Sequence, residues 1–273
     1  MIVKTHAVVV RIIPFSETSR VVLWLTREYG KIAAIIKGAQ RRRSQFLGQV
    51  DLFYTCELLF YPGRFHGLHI VKECFPLNTR DSFRSRWRAA ACASYFSGLV
   101  AQISPLNAAH PELFDLLESA LDYFAGQSSL ETGIYWFELK LLQSMGLSPQ
   151  LARCVLCHTP LAYDPASAGQ GEKPYKVPRR PRISNTHGGI LCAPCANSHA
   201  RGIDGAPVAQ DVLCVLRSWQ ASRSWRLAQS ARCTPGQKAE LRRILRLFLQ
   251  YHLEVDVAAR DMALATLGLD FSA

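Results

Sequence analysis

The sequence predicts an α+β chain in which a small five-stranded barrel precedes a helical domain with a metal-binding segment inside it. Three observations carry that prediction. The first eighty of 273 residues form β-branched runs cut at short intervals by turn residues. From Asp81 onward the apolar residues recur at helical spacing. Two Cys-x-x-Cys pairs then interrupt the helical pattern.

The strands follow one another closely. Val3 to Ile13 is dense in Val and Ile, and Pro14-Phe15-Ser16-Glu17 breaks it. Ser19 to Leu25 runs up to the turn at Tyr29-Gly30, and Lys31 to Lys37 makes a third apolar run. Gly38 to Gly48 is a polar, basic loop; Val50 to Tyr61 alternates as a fourth strand, and Leu68 to Cys74 makes a fifth after Pro62-Gly63. Five strands with one long internal loop suit an OB-type barrel, and an SH3-like barrel fits the same spacing.

The helical part reads Phe83 to Val100, Pro111 to Phe124 ended by Gly126, and Leu130 to Met145 stopped at Gly146. Proline at the first turn and glycine past the end are the expected punctuation. The aromatics of the third helix read as a packing stripe, not a ligand box. Ala209 to Leu227, Gly236 to Leu253 and Asp256 to Leu267 complete the helices. The Pro-, Gly- and Lys/Arg-rich stretch 163–186 reads as a mobile surface loop. The expected domains are therefore 1–80, a barrel, and 81–273, a helical domain carrying the cysteine segment at 150–200.

Hydrophobic residues at 49% against charged residues at 19% argue for a packed core and against disorder. No window of about eighteen uninterrupted apolar residues exists to span a membrane. Lys4, His6 and Arg11 interrupt the apolar N-terminus, and no small-residue cleavage site follows. The expectation is a cytoplasmic protein without a membrane role.

The net charge of +11 is unevenly placed: residues 1–80 hold twelve Lys/Arg against five Asp/Glu, whereas 81–150 hold four against seven. A local surplus of this kind is the electrostatic footprint of a phosphate-binding surface. Its focus is Gly38-Ala39-Gln40-Arg41-Arg42-Arg43-Ser44-Gln45-Phe46. Three consecutive arginines between glycines can reach successive phosphates, with Lys31, Lys37, Arg11, Arg20 and Arg27 extending the surface. Phe46 is a candidate for stacking on a base. Trp24, Phe53, Phe60 and Phe65 read first as barrel core and second as stacking partners on a single-strand path.

Cys154-Val155-Leu156-Cys157 and Cys192-Ala193-Pro194-Cys195 give four thiolates for one tetrahedral, closed site, expected to hold a structural zinc; iron also suits four cysteines. The gap between the pairs is long, but loop closure costs rise slowly with length. His158, His187 and His199 lie near and read as ordinary surface histidines. Cys56, Cys74, Cys92, Cys214 and Cys233 read as buried free thiols.

Catalysis lacks its parts. Pro194-Cys195 matches half of a zinc-deaminase motif, but Ser198 stands where its second cysteine belongs. The two His-x-Glu triplets, at His110 and His252, are misplaced for that chemistry. No GxxxxGK[ST], GxSxG or HExxH pattern occurs. Glu17, Glu28, Asp51, Glu57 and Glu73 show no two-metal clustering.

In order along the chain, these motifs resemble the RecO family of bacterial recombination mediators. The resemblance is carried by Val8 to Glu17 leading into Ser19 to Thr26, by Tyr29-Gly30-Lys31 and Lys37-Gly38-Ala39 with the arginine loop, and by Trp136-Phe137-Glu138-Leu139-Lys140-Leu141-Leu142. Gly146-Leu147 with Pro149, the two cysteine pairs with Gly188-Gly189, and Leu247 to Leu253 complete it. It implies an OB domain, a helical domain and a zinc-binding segment. It also implies binding of single- and double-stranded DNA, strand annealing, and action with RecR in the RecF pathway to bring RecA onto strands covered by single-strand-binding protein (SSB), whose C-terminal tail is a further expected contact. Two features depart from the family: the basic stretch 163–187 is long, and Glu254-Val255-Asp256-Val257-Ala258 replaces a basic, proline-containing tail. An RNA-binding protein and a protein-docking adaptor with incidental DNA contact are the alternatives.

Overall fold

The computed structural model describes residues 1–63, 67–126, 130–162, 175–176, 181–198 and 205–268. Most of the expected 163–186 loop, along with Phe65 and His199, lies outside them.

The first five strands are β1 (Val3–Pro14), β2 (Arg20–Thr26), β3 (Gly30–Ile36), β4 (Thr55–Tyr61) and β5 (His69–Asn78). They close into a barrel in the order β1-β2-β3-β5-β4, with β1 paired to both β2 and β4. β5 lies beside β3 and runs parallel to it. That non-consecutive order separates the OB arrangement from a simple meander. The period-2 pattern sends Ala7, Val9, Val22, Trp24, Ile32, Ala34, Cys56, Leu58 and Phe60 into the barrel core. Val8 and Val10 are buried too. β1 is thus covered on both faces, which is why it reads as a continuous apolar run and not an alternating one.

Two strand boundaries differ from expectation. β4 begins at Thr55, not Val50, because Phe53 takes a left-handed conformation (φ 69°) and Asp51 O accepts from Tyr54 N at 3.3 Å, making a turn. β5 runs on past Cys74 to Asn78, paired with β4 as far as Thr55. At the β2–β3 turn, Gly30 has φ 67°, and a Cβ there would lie 1.8 Å from Ala108 O. Only glycine fits both demands.

A short 3-10 turn (Asp81–Arg84) leads into α1 (Trp87–Ile103), α2 (Pro111–Gly126) and α3 (Leu130–Ser144). His110 Nδ1 accepts from Leu113 N (3.2 Å), so this histidine of a His-x-Glu triplet caps a helix. The cysteine segment contains β6 (Leu161–Ala162), β7 (Tyr175–Lys176), β8 (Arg182–Ser184), β9 (Gly189–Leu191), α4 (Ala193–Ser198) and β10 (Gly205–Pro207). Then come α5 (Gln210–Ala221), α6 (Arg226–Ser230), α7 (Pro235–Leu253) and α8 (Ala258–Thr266). The single helix expected over Ala209 to Leu227 is split. Ser222 Oγ takes the Ser224 amide (3.0 Å), and the chain turns extended there instead of continuing. α7 starts on a capping box between Thr234 and Gln237 with Pro235 next to the cap.

By packing, the chain forms two compact units: residues 1–130 with 258–273, and residues 131–257. In the first, α1 packs on β1, α2 and α8 around a core that includes Phe96, Phe114 and Phe124. In the second, α5 packs on α7, and Trp219, Leu245 and Phe248 are fully buried. Among the described residues no helix is long and apolar enough to cross a membrane.

Candidate nucleic-acid interface and metal centre

The arginine loop connects β3 to β4 and is built from successive tight turns. Arg41 N donates to Gly38 O (3.1 Å), Ser44 N to Arg41 O (3.0 Å), Leu47 N to Ser44 O (3.2 Å) and Gln49 N to Phe46 O (3.1 Å). Gly38 (φ 69°) and Gly48 (φ 75°) supply the left-handed positions at its two ends. Phe46 is buried in the barrel core and pins the middle of the loop. The base of the loop is tied to the β1–β2 turn: Gln40 N donates to Thr18 O (3.0 Å). The Gln40 side-chain amide donates to Glu17 O (2.8 Å) and accepts from Arg20 Nε (3.3 Å). A loop anchored in this way presents its arginines from a fixed backbone.

The eight expected phosphate-binding cations are placed unequally. Arg11, Lys37, Arg41, Arg42 and Arg43 are exposed, with no ion-pair partner among the described residues. Arg20 sits at the loop's base through Gln40. Arg27 bonds Asp115 of α2 (3.0 Å) on the surface. Lys31 turns toward α1, where Nζ donates to Ala101 O (2.6 Å) in the last helical turn, and burial lowers its pKa. That carbonyl is one a helix end leaves without a partner, so Lys31 works as a cap.

The aromatics sort clearly. Trp24, Phe53 and Phe60 are buried, as the core reading expected, and Phe46 is buried with them. None of the four offers a face to a base. Phe15 does: it is 62% exposed on the turn that contacts the loop. Its signal in the sequence was its place in Pro14-Phe15-Ser16-Glu17, an aromatic side chain in a turn with no apolar neighbour to pack on.

The candidate metal centre is assembled from two turns. His158 N donates to Cys154 O (2.9 Å), closing the first Cys-x-x-Cys turn with His158 left-handed (φ 59°). Ala196 N donates to Cys192 O (2.9 Å), closing the second as α4 starts. The halves are joined by backbone bonds: Gln150 N to Gly188 O (2.9 Å), Ile190 N to Gln150 O (2.9 Å) and Val155 N to Ile190 O (3.0 Å). A Cβ at Gly189 would lie 2.3 Å from Gln150 O and 2.7 Å from Val155 Cγ1. The glycine is what lets the two halves touch.

The four sulfurs of Cys154, Cys157, Cys192 and Cys195 lie within 4.8 Å of one another and could hold a metal ion. Four thiolates at about 2.3 Å from one ion sit roughly 3.8 Å apart, so the cluster has a suitable size. Cys157 Sγ lies 3.2 Å from the Thr159 hydroxyl and 3.5 Å from Cys192 Sγ. The Thr159 hydroxyl and amide lower the Cys157 pKa to about 6, while burial and the neighbouring thiols push Cys195 up and burial raises Cys192. Thiols crowded like this oppose one another's ionisation, and a cation among them removes the conflict. His187 bonds Ser184 and Thr186, and His158 is exposed, so neither joins the set. Of the other cysteines, Cys56, Cys74 and Cys92 are buried as expected; Cys233 is half-buried, and Cys214 is exposed because its position on α5 faces away from the apolar stripe.

The model of the recombination protein O N-terminal domain matches residues 1–80, and that of its C-terminal domain matches residues 84–261. The chain belongs to the RecO family. It is 30% identical to the DNA repair protein RecO of Myxococcus xanthus over 97% of both chains. It is 30% identical to that of Anaeromyxobacter sp. strain K over 94% of both, and 28% identical to that of Alkaliphilus metalliredigens over 93% of this chain and 95% of the relative.

This RecO-family chain also has a buried arginine that sequence reading missed. Arg80, left-handed at φ 47° and 6% exposed, donates to Asp122 Oδ1 (2.7 Å), Phe53 O (2.6 Å) and Thr55 Oγ1 (3.0 Å). It fastens the barrel to α2. Nothing in the sequence distinguishes it from a surface arginine.

Proposed function

We propose that this chain is a DNA repair and recombination protein without catalytic chemistry of its own. In this reading it binds single- and double-stranded DNA through the barrel and anneals complementary strands. One observation carries the reading: Arg41, Arg42 and Arg43 stand exposed and without ion-pair partners among the described residues, on a loop held by turns and by Phe46. Membership of a family whose relatives are named DNA repair protein RecO supports the process.

Annealing needs no reacting side chain. Lys37 and Arg41 to Arg43, with Arg11 and Arg20, lower the repulsion between two phosphate backbones, and base pairing selects the partner strand. Phe15 supplies a stacking face beside the loop, worth about 1–3 kcal/mol per stacked base. Lys31 and Arg27 add positive potential while holding α1 and α2. The same reading makes RecR and the SSB tail its protein partners and RecA the protein it helps onto DNA.

Zinc is the ion we assign to the four cysteines. It would be structural: four thiolates leave no open position for a substrate. Its contribution when bound is to fasten the 150–162 segment to β9 and α4.

Replacing the three loop arginines by alanine is expected to leave the fold intact, because all three are exposed. Against single strands it should flatten the log K versus log salt slope by about 2, from roughly 0.7 per lost phosphate contact. Annealing should fall in parallel; unchanged affinity at moderate salt overturns the reading. Matched DNA and RNA strands separate it from an RNA-binding role, and elemental analysis should return about one zinc per chain, as one closed site requires.

A further inference from the structure

Residues 201–273 hold ten Lys/Arg against seven Asp/Glu, but the cations are concentrated in one part of that stretch. Between Val212 and Gln250 there are eight Lys/Arg and one acidic residue, Glu240. Some of these cations are committed: Lys238 pairs with Glu131 (2.7 Å), and Arg243 donates to Pro207 O (2.8 Å). Arg223, Arg226 and Arg232 are different. All three are exposed, and their guanidinium groups have no partner among the described residues. They lie within ten residues, on the α5–α7 connector that contains α6.

The connector is fixed to α3. The half-buried Trp225 ring lies 4.2 Å from that of buried Trp136, and Ala228 O accepts from Thr132 Oγ1 (2.8 Å). Lys140, also on α3, is only 9% exposed; its Nζ lies 5.5 Å from the Trp136 ring centre and donates to Gln143 Oε1 (2.8 Å) and Gln220 O (3.0 Å). Both of those acceptors are neutral. Burial first, and the charge of Arg223 second, lower the Lys140 pKa to about 8. A lysine and an arginine close enough to repel, with only neutral acceptors on the lysine, form a place where an anion would be stabilised by both.

We propose that the α5–α7 connector is a second nucleic-acid contact, in which Arg223, Arg226 and Arg232 take successive phosphodiesters of a single strand, with buried Lys140 adding to the positive potential there. The cations are spread along a segment instead of converging on one point, which suits a linear polyanion better than a free phosphate. Guanidinium groups suit its phosphodiesters by bidentate hydrogen bonding. The inference rests on the annealing reading above, to which it adds a second strand-holding surface on the second compact unit.

The test uses the full-length chain with R223A/R226A/R232A, alongside R41A/R42A/R43A. Anisotropy of a labelled single strand is followed over a salt series, with annealing measured in parallel. The connector variant is expected to lose about 2 from the salt slope, from three contacts at roughly 0.7 each, and at least tenfold in annealing rate. A matching R223Q/R226Q/R232Q variant keeps the side-chain stems, so a defect shared by both variants at an unchanged melting temperature is a charge effect. A wild-type slope in the connector variants, with a lowered slope in the loop variant, overturns this proposal and leaves the proposed function standing. Wild-type slopes in both overturn the two together. If the connector variants lose a labelled oligoglutamate peptide but keep the DNA slope, the surface serves an acidic protein segment and the proposal fails.

Discussion

Arg80 shows how much one side chain can carry. It is buried, and its guanidinium donates to a carboxylate that Asn78 also serves, and to a backbone carbonyl and a hydroxyl that depend on it. Arg80→Ala is expected to destabilise the chain by about 2–4 kcal/mol, since removing one partner of a buried network leaves the others unpaired. Asp122 is half exposed, so Asp122→Asn should cost about 1 kcal/mol or less. Urea unfolding of both variants checks the asymmetry; equal costs would place the energy in the ion pair instead of the carbonyl and hydroxyl contacts. Lys140 makes a second residue-scale prediction. Its pKa is lower in the folded chain, about 8 against 10.5, so between those values the unfolded chain binds more protons and stability rises with pH. The folded state carries the full penalty below pH 8 and is relieved of it toward 10.5, by up to about 3 kcal/mol at 1.36 kcal/mol per unit. Lys140→Met should flatten that rise in unfolding measurements from pH 7.5 to 10.5.

At the scale of elements, the cysteine segment is held by contacts that only a glycine permits. Gly189→Ala puts a methyl group within 2.3 Å of Gln150 O, so β9 must move away from the 150–162 segment. The expected outcome is metal content well below one ion per chain and earlier melting of the cysteine segment, read by elemental analysis and hydrogen exchange. Chelation of the wild type should mimic it, and full metal content in the variant would show that the halves can meet without the close approach. The gathering of the four cysteines was legible, because two Cys-x-x-Cys turns can bring four sulfurs round one point. The barrel was legible for the same kind of reason: period-2 burial leaves a mark on every strand but β1, and β1 is marked by its unbroken valines. Errors fell where local chemistry outweighed periodicity. Phe53 bends the start of β4 by taking a left-handed conformation that no residue preference announces, and Ser222 diverts its neighbour's amide from the helix that Val212 to Trp219 had set up. The roles of Lys31 and Arg80 were hidden because a cation looks the same in sequence whether it faces solvent or a helix end.

At the scale of the molecule, the distribution of charge matters more than its sum of +11. The loop at Arg41 to Arg43 and the connector at Arg223 to Arg232 belong to different compact units, and neither set is neutralised by carboxylates among the described residues. Sites on separate units, with no shared partner, should behave independently. Combining the two arginine triplets in one variant is therefore expected to lower the single-strand salt slope by about 4, the sum of two losses of about 2. Slopes that add place both triplets on one strand, because contacts to different strands do not sum in a single binding constant. Annealing should then fall further in the combined variant than in either single one, since each lost triplet weakens the hold on the same strand. A combined slope loss of only about 2 would mean that the two triplets do not act on one strand, and the second surface would fall as an addition to the loop.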